Sequence, residues 1–365
     1  MANTSCGFTP ERLVFGMKTA SSPVISPDGS TVAYAVSQEQ RDPKAPGSRI
    51  WTVPVMGGEP APLTPEDVAG SNPVWSPDGT SVAFVLKDTN DKPRAIAVIP
   101  AGGGETSELT RHRPKPLSLA WSPDGGSITY SVPVDPDNPD EHAEDKDAPP
   151  KVRVTRRLDY KQDNRGLLYD TRLQVMVLDA ASGERRQLTS ELVDHTEPQW
   201  SPDSTSIAVK VLNRNGMHSQ LGVIDVASGE ITLVGNRDWS IGTWRWSPDG
   251  ATILFDGIDQ PSPQTDYWVY EVSSGALRRL TDDLDFSPEA GYPTLGSPAQ
   301  PVWLDDSTAL VHGIRAGRSL LRTIDTESGA IKEVAGFDAT HAGLAVDSGR
   351  RTIVQIQAKP TQSGE

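Results

Sequence analysis

The sequence predicts an all-β fold: a seven-bladed β-propeller of four-stranded antiparallel blades, with the last blade incomplete. Three observations predict it. A turn phrase recurs as Ile25-Ser-Pro-Asp-Gly29, Trp75-Ser-Pro-Asp-Gly79, Trp121-Ser-Pro-Asp-Gly125, Trp200-Ser-Pro-Asp-Ser204 and Trp246-Ser-Pro-Asp-Gly250, with degraded copies at Trp303-Leu-Asp-Asp-Ser307 and Val346-Asp-Ser-Gly349. The second residues of these copies are 50, 46, 79, 46, 57 and 43 positions apart, and all but the 79 fit the roughly 40–50-residue period of propeller blades. The 32 glycines and 31 prolines are too many for a helical bundle, while 36% apolar content and nine tryptophans suffice for a core.

Each element of the unit follows from local chemistry. In the phrase, Pro presets φ near −65°, Asp bonds its own backbone, and Gly accepts positive φ at the exit, which makes a tight turn. Alternating apolar residues follow as a second strand: Val32-Ala-Tyr34, Val82-Ala-Phe84, Ile128-Thr-Tyr130, Ile207-Ala-Val209 and Ile253-Leu-Phe255. A third strand is read at Arg49-Ile-Trp-Thr-Val53, Ala95-Ile-Ala-Val-Ile99, Leu173-Gln-Val-Met-Val177, Leu221-Gly-Val-Ile224 and Tyr267-Trp-Val-Tyr270. A glycine turn comes next, as in Gly57-Gly58, Gly103-Gly104, Ser182-Gly183, Ser228-Gly229, Ser274-Gly275 and Ser328-Gly329. A fourth strand is read at Leu63-Thr64, Leu109-Thr110, Leu188-Thr189 and Leu280-Thr281. The whole chain, 1–365, then forms one propeller, with blades beginning near residues 22, 72, 118, 197, 243, 300 and 341.

Five tryptophans (75, 121, 200, 246 and 303) share one repeat position, which points to packing between neighbouring blades and not to a ligand cage. The turn aspartates Asp28, Asp78, Asp124, Asp203 and Asp249 form a ladder on paper, but each belongs to its own turn. They are read as turn formers, not as catalysts or metal ligands.

The long gap in the third unit marks an insertion over 133–171. Seven acids (Asp135, Asp137, Asp140, Glu141, Glu144, Asp145, Asp147) among prolines predict a solvated loop, since such a stretch buries too little apolar area to repay ordering. A basic run and an extra hairpin follow, with 161–166 read as its turn. Arg156, Arg157 and Tyr160 are its candidates for a lip facing substrate; a surface hairpin whose arginines pair with the nearby acids is the plainer alternative. In the seventh unit, strands are read at His341-Ala-Gly-Leu-Ala-Val346 and Thr352-Ile-Val-Gln-Ile-Gln357, two short of a blade. Either the N-terminal segment completes the ring, or the natural continuation is absent.

Composition narrows function by exclusion. A formal charge of −15 disfavours nucleic acid and anionic membrane surfaces. No apolar run approaches the roughly 18–20 residues of a membrane span, and the opening residues lack the basic and apolar regions of a signal peptide. Cys6 alone allows no intrachain disulfide. The chain is expected to be soluble and cytoplasmic.

The opening Phe8-Thr-Pro-Glu-Arg-Leu-Val14 with Ser22-Pro-Val-Ile-Ser-Pro-Asp-Gly29 resembles the start of acylaminoacyl-peptidase-like members of the prolyl oligopeptidase family. The order of the third unit and His195-Thr-Glu-Pro-Gln-Trp200 are similar to that family too; the turn phrase itself is shared with TolB-like propellers. The resemblance implies a propeller that performs no bond chemistry, admits short peptides, and caps an α/β-hydrolase domain carrying Ser, Asp and His. No G-x-S-x-G pentapeptide occurs in the chain; Gly125-Gly-Ser127-Ile-Thr129 and Gly317-Arg-Ser319-Leu-Leu321 come nearest and fail at the last position. This chain alone is therefore not read as an enzyme, and no catalytic residue, metal or cofactor is expected in it.

A second reading is a stand-alone TolB-like scaffold for a protein partner, which should close its ring with its own hydrogen-bonded strands. A third, a metal-dependent lyase, asks for histidines on successive inner strands. The six here, at 112, 142, 195, 218, 312 and 341, are scattered and lack metal-binding spacing.

Overall fold

A computed structural model describes residues 9–42, 45–87, 94–139, 158–162, 166–168, 170–213, 216–259, 264–288, 299–336 and 339–358. Among these, six four-stranded antiparallel sheets and a two-stranded seventh form the propeller. In the first blade the strands run Lys18–Ile25, Thr31–Gln38, Ser48–Pro54 and Ala61–Pro62 from axis to rim. The innermost strands of the others are Ala69–Trp75, Leu117–Trp121, Asp194–Trp200, Ser240–Trp246, Val302–Trp303 and Thr340–Val346. The all-β, seven-sheet architecture read from the repeat is the one observed.

The Ser-Pro-Asp-Gly phrase closes as the sequence requires. In the first copy the Gly29 amide donates to the Ser26 carbonyl at 2.8 Å, the Ser26 hydroxyl donates to the Asp28 carboxylate, and the Ser30 amide donates to the same carboxylate at 3.0 Å. Gly29 has φ +74°, and Ser204, standing in for Gly, is held at +62°. These turns and the glycine turns lie on one face of the disc, here the turn face. Opposite is the loop face, with the N-terminal helix Pro10–Phe15, the third-blade insertion, and the links between blades. The helix starts on Thr9, whose hydroxyl accepts the Arg12 amide at 3.2 Å; Pro10 sits at its first position, and none of its residues is buried.

The Leu-Thr pairs mark the close of the fourth strand more than its body, because the chain leaves the sheet there. The first, third and fifth blades end their fourth strands at Ala61–Pro62, Arg185–Gln187 and Leu277–Arg279. Directly after, Leu63, Leu188 and Leu280 donate their amides to the third strand, to the carbonyls of Ile50, Val175 and Tyr267, each at 2.8 Å. The threonine hydroxyls then accept the amides of those same third-strand residues, at 3.2 Å for Thr64, 3.0 Å for Thr189 and 3.0 Å for Thr281. A side chain thus replaces the carbonyl that a continuing strand would have supplied.

The core lies between blades. Five buried apolar clusters join the first to the second blade and so on through the sixth, as in Ile50 with Phe84, Val85 with Tyr130, Val175 with Ile207, Leu221 with Trp268, and Tyr267 with Phe286. Among the described residues no such cluster flanks the seventh blade. Its contacts include polar and small ones: the Ser348 hydroxyl donates to the Pro27 carbonyl, Arg350 Nη1 donates to the Leu304 carbonyl at 2.7 Å, and Gly29 and Gly343 abut Asp347 and Pro23. Ile25 and Val346 occupy the repeat position that tryptophan holds elsewhere. Strands Thr340–Val346 and Ile353–Ala358 pair only with each other among the described residues, and the ring closes by packing against Lys18–Ile25.

The acidic stretch from Asp140 onward, Arg156 and Arg157 lie outside the described residues. In the insertion, Lys161 pairs with Leu167 and Gln162 with Gly166, so residues read from the sequence as turn are strand.

Candidate functional site

A propeller gathers residues in two places, along its axis and on its two faces. Along the axis, the inner strands carry bulges in register, as between Ser21 and Val24, Ser71 and Val74, and Thr196 and Gln199. In the first four blades the bulge puts a residue in the left-handed region: Ser22 at φ 52°, Asn72 at 53°, Ser118 at 55° and Glu197 at 55°. Glu197 meets Lys210 at 3.5 Å, and the Lys210 ammonium lies over the Trp244 ring at 5.4 Å.

At the turn face the axis opens into a funnel of about 530 Å³. Its wall includes Trp121, Trp200, Trp246, Trp303 and the turn prolines Pro123, Pro202 and Pro248. The repeated tryptophans are the interblade packing that the sequence predicts. Trp75, Trp200, Trp246 and Trp303 each donate the indole N–H to a carbonyl of the preceding blade: Val24, Ala120 and Gln199 at 3.2 Å, and Arg245 at 3.4 Å. Trp121 has no such partner.

Arg245 lines this funnel and was not singled out by the sequence reading. The available signal was its place in the repeat, where other blades carry Val24, Val74, Ala120, Gln199 and Val302. Surrounding protein desolvates the guanidinium and lowers its pKa, although the side chain stays open to water in the funnel, so it keeps its charge. The turn aspartates sit around it on the same face. Hydrogen bonds from their own turns, led by the preceding serine hydroxyl, hold Asp28, Asp78, Asp124, Asp203 and Asp249 below the usual carboxylate value.

The histidines do not converge. His112 bonds the Tyr130 hydroxyl at 2.9 Å between the second and third blades, while His195 and His341 sit at the loop-face ends of inner strands. His312 is buried beside the seventh blade, and burial, aided by neighbouring His341, pushes its pKa down to about 4. Among the described residues no group of three or more His, Cys, Asp or Glu could hold a metal. Neither near-match to a nucleophile turn stands on a strand–turn–helix: Ser127 begins the strand Ser127–Val134, and Ser319, within Arg318–Asp325, is buried and accepts the His341 amide at 2.9 Å.

The two faces differ in apolar exposure. Leu13, Val14, Met17, Leu158, Tyr160, Leu167, Leu192 and Met217 are exposed on the loop face, whereas Met56 and Ile353 are exposed on the turn-face side and Leu233 and Val334 on outermost strands. Tyr160 is 52% exposed, and its carbonyl accepts the Leu168 amide at 2.8 Å, which ties the hairpin to its base.

The fold is that of a β-propeller, and it resembles the propellers of acylaminoacyl peptidases and TolB proteins. No protein-family model and no curated protein matches the chain. Among solved structures, the acylaminoacyl peptidase of Pyrococcus horikoshii superposes with a TM-score of 0.71 at 16% identity, over 97% of this chain and 52% of that one. The β-propeller domain of the trilobed protease from Pyrococcus furiosus, which has an open velcro topology, matches at 0.62 and 16% identity over 95% and 94%. TolB from Acinetobacter baumannii matches at 0.50 and 14% identity over 86% and 65%. At these identities the likeness shows the fold, and the chain spans about half the length of the acylaminoacyl peptidase.

Proposed function

We propose that this chain is the propeller part of a serine peptidase of the acylaminoacyl-peptidase-like, prolyl oligopeptidase type. In this reading it docks an α/β-hydrolase domain and restricts access to short or flexible peptides. The observation that carries the reading is the one-sided apolar exposure. Eight of the twelve large apolar side chains exposed among the described residues stand on the loop face, and apolar exposure gathered on one side supports a surface that is covered in the working protein. The helix Pro10–Phe15 and the third-blade hairpin rise from that face, so a catalytic domain docked there would have Tyr160 at its margin. Bond chemistry would belong wholly to the docked domain, with Ser as nucleophile, His as base and Asp orienting the His. The propeller would contribute exclusion by size at the channel and the walls of the cavity between the domains.

The alternative is a self-contained TolB-like scaffold for a protein partner. The reading frame beyond codon 365 tests the proposal. A G-x-S-x-G within a βα-alternating region supports it; a stop codon with no such region supports the scaffold instead.

A further inference from the structure

We infer that the funnel at the turn face binds a carboxylate carried on an apolar body, the C-terminal residue of a short peptide, with Arg245 as its anchor. The repeat supplies the comparison that isolates this side chain. At the residue before the repeated aromatic, the protein's shared demand is on the backbone: the carbonyls of Val24, Ala120, Gln199 and Arg245 accept the next blade's indole N–H. Any residue supplies a carbonyl, and sister blades use Val, Ala or Gln, so packing does not ask for a guanidinium. Ion pairing does not ask for one either. Among the described residues Arg245 has no side-chain hydrogen bond or ion pair, and desolvation is the one influence on its pKa.

Two further charged side chains line the funnel, Asp347 and Arg350. Asp347 accepts the amides of Arg351 and Thr352, at 2.8 and 2.6 Å, and Arg350 donates to the Leu304 carbonyl. Arg245 is thus a charged donor fork held out to water in a concave, tryptophan- and proline-walled space. A guanidinium fork matches a carboxylate in bidentate geometry. A guanidinium beside tryptophan and proline atoms suits a negative charge carried on an apolar residue. The volume, about 530 Å³, falls within the range of small-ligand sites and holds a terminal residue with one or two before it. The site faces away from the surface proposed to dock a hydrolase and does not depend on that proposal.

The test is titration of the full chain with N-acetyl-Ala-Ala-Leu bearing a free carboxylate, followed by tryptophan fluorescence and calorimetry. Its C-terminal amide and inorganic phosphate serve as comparisons. The expected result is saturable binding of the acid, about tenfold weaker binding of both the amide and phosphate, and a loss of about tenfold in Arg245→Gln, partly restored in Arg245→Lys. Equal binding of acid and amide, phosphate binding as tightly as the acid, or no saturation at millimolar acid overturns the inference. So does an Arg245→Gln protein that melts normally and binds the acid undiminished. The acid–amide comparison uses the unsubstituted chain, so the outcome does not hinge on the variant folding.

Discussion

The indole N–H of Trp200 donates to the carbonyl of Ala120 at 3.2 Å, joining the fourth blade to the third across 80 residues of sequence. The same bond recurs from Trp75 to Val24, Trp246 to Gln199 and Trp303 to Arg245, so in four blades one side chain both packs between blades and is tied to the neighbour. Replacing Trp200 by Phe removes the donor and part of the volume, and the expected cost is about 1–3 kcal/mol. Trp121→Phe should cost less, because its N–H has no partner to lose. Chemical denaturation of both variants checks the order; an equal or reversed cost contradicts the pinning role.

The Leu-Thr pair that ends a blade yields a second prediction. Thr189 accepts the buried Val175 amide at 3.0 Å and donates to Gln174 Oε1 at 2.6 Å. Thr189→Val keeps the shape and orphans both groups, for an expected loss of about 1–3 kcal/mol. Thr189→Ser should recover most of it in the same unfolding measurement.

Acid should loosen the protein in two steps. His312 has its pKa pushed by burial from 6.5 to about 4, and both its ring nitrogens lack partners. A histidine whose folded pKa is depressed contributes its stability fully above the unfolded value, and that contribution is lost as pH falls from about 6.5 through about 4. The size is on the order of 3 kcal/mol. His195 and His341 are lowered mainly by burial and act in the same direction. The turn aspartates, depressed below 3.8, add their own loss at lower pH still. Melting temperature against pH should therefore fall before the carboxylates titrate, and His312→Leu should flatten that first decline. A flat profile between pH 7 and 4.5 contradicts the account.

Two glycines separate space from backbone freedom. A Cβ on Gly242 would overlap the Asp256 carboxylate, which is buried and accepts the Thr243 amide at 2.8 Å, so Gly242→Ala should cost more than about 2 kcal/mol. Gly102 faces open space with an ordinary φ, and Gly102→Ala should be neutral or stabilising by up to about 1 kcal/mol. Thermal melts of the two variants decide the contrast.

The blade pattern was legible because its signals are local. Pro and Asp specify the Ser-Pro-Asp-Gly turn whatever surrounds it, and alternation specifies a half-buried strand. Trp200 was legible as packing because it recurs at one repeat position. What Leu188-Thr189 does was not legible, since a Thr that accepts a third-strand amide and a Thr inside a strand look alike along the chain. Lys161 and Gln162 read as turn because Asp163, Asn164 and Gly166 follow them, yet cross-strand pairing with Leu167 and Gly166 prevails. Arg245 was hidden for a different reason. Its neighbours at the funnel come from several blades, and neither hydropathy nor spacing shows which way one charged residue in an inner strand points. The apolar exposure of the loop face was likewise out of reach, because Leu13, Leu192 and Met217 are far apart in sequence and share a side only once the disc is formed.

Three exposed methionines allow the proposed docking face to be tested with an internal control. Met17 and Met217 stand on the loop face, the latter 68% exposed, and Met56 stands on the turn face, 96% exposed. The measurement is the rate of methionine oxidation under a dilute peroxide pulse, read by mass spectrometry. It compares the 365-residue chain alone with the same chain joined to the α/β-hydrolase domain that the proposal calls for. The account predicts that Met17 and Met217 are oxidised quickly in the former and protected severalfold in the latter, with Met56 unchanged. Protection of Met56, or equal oxidation of all three in both proteins, would contradict it.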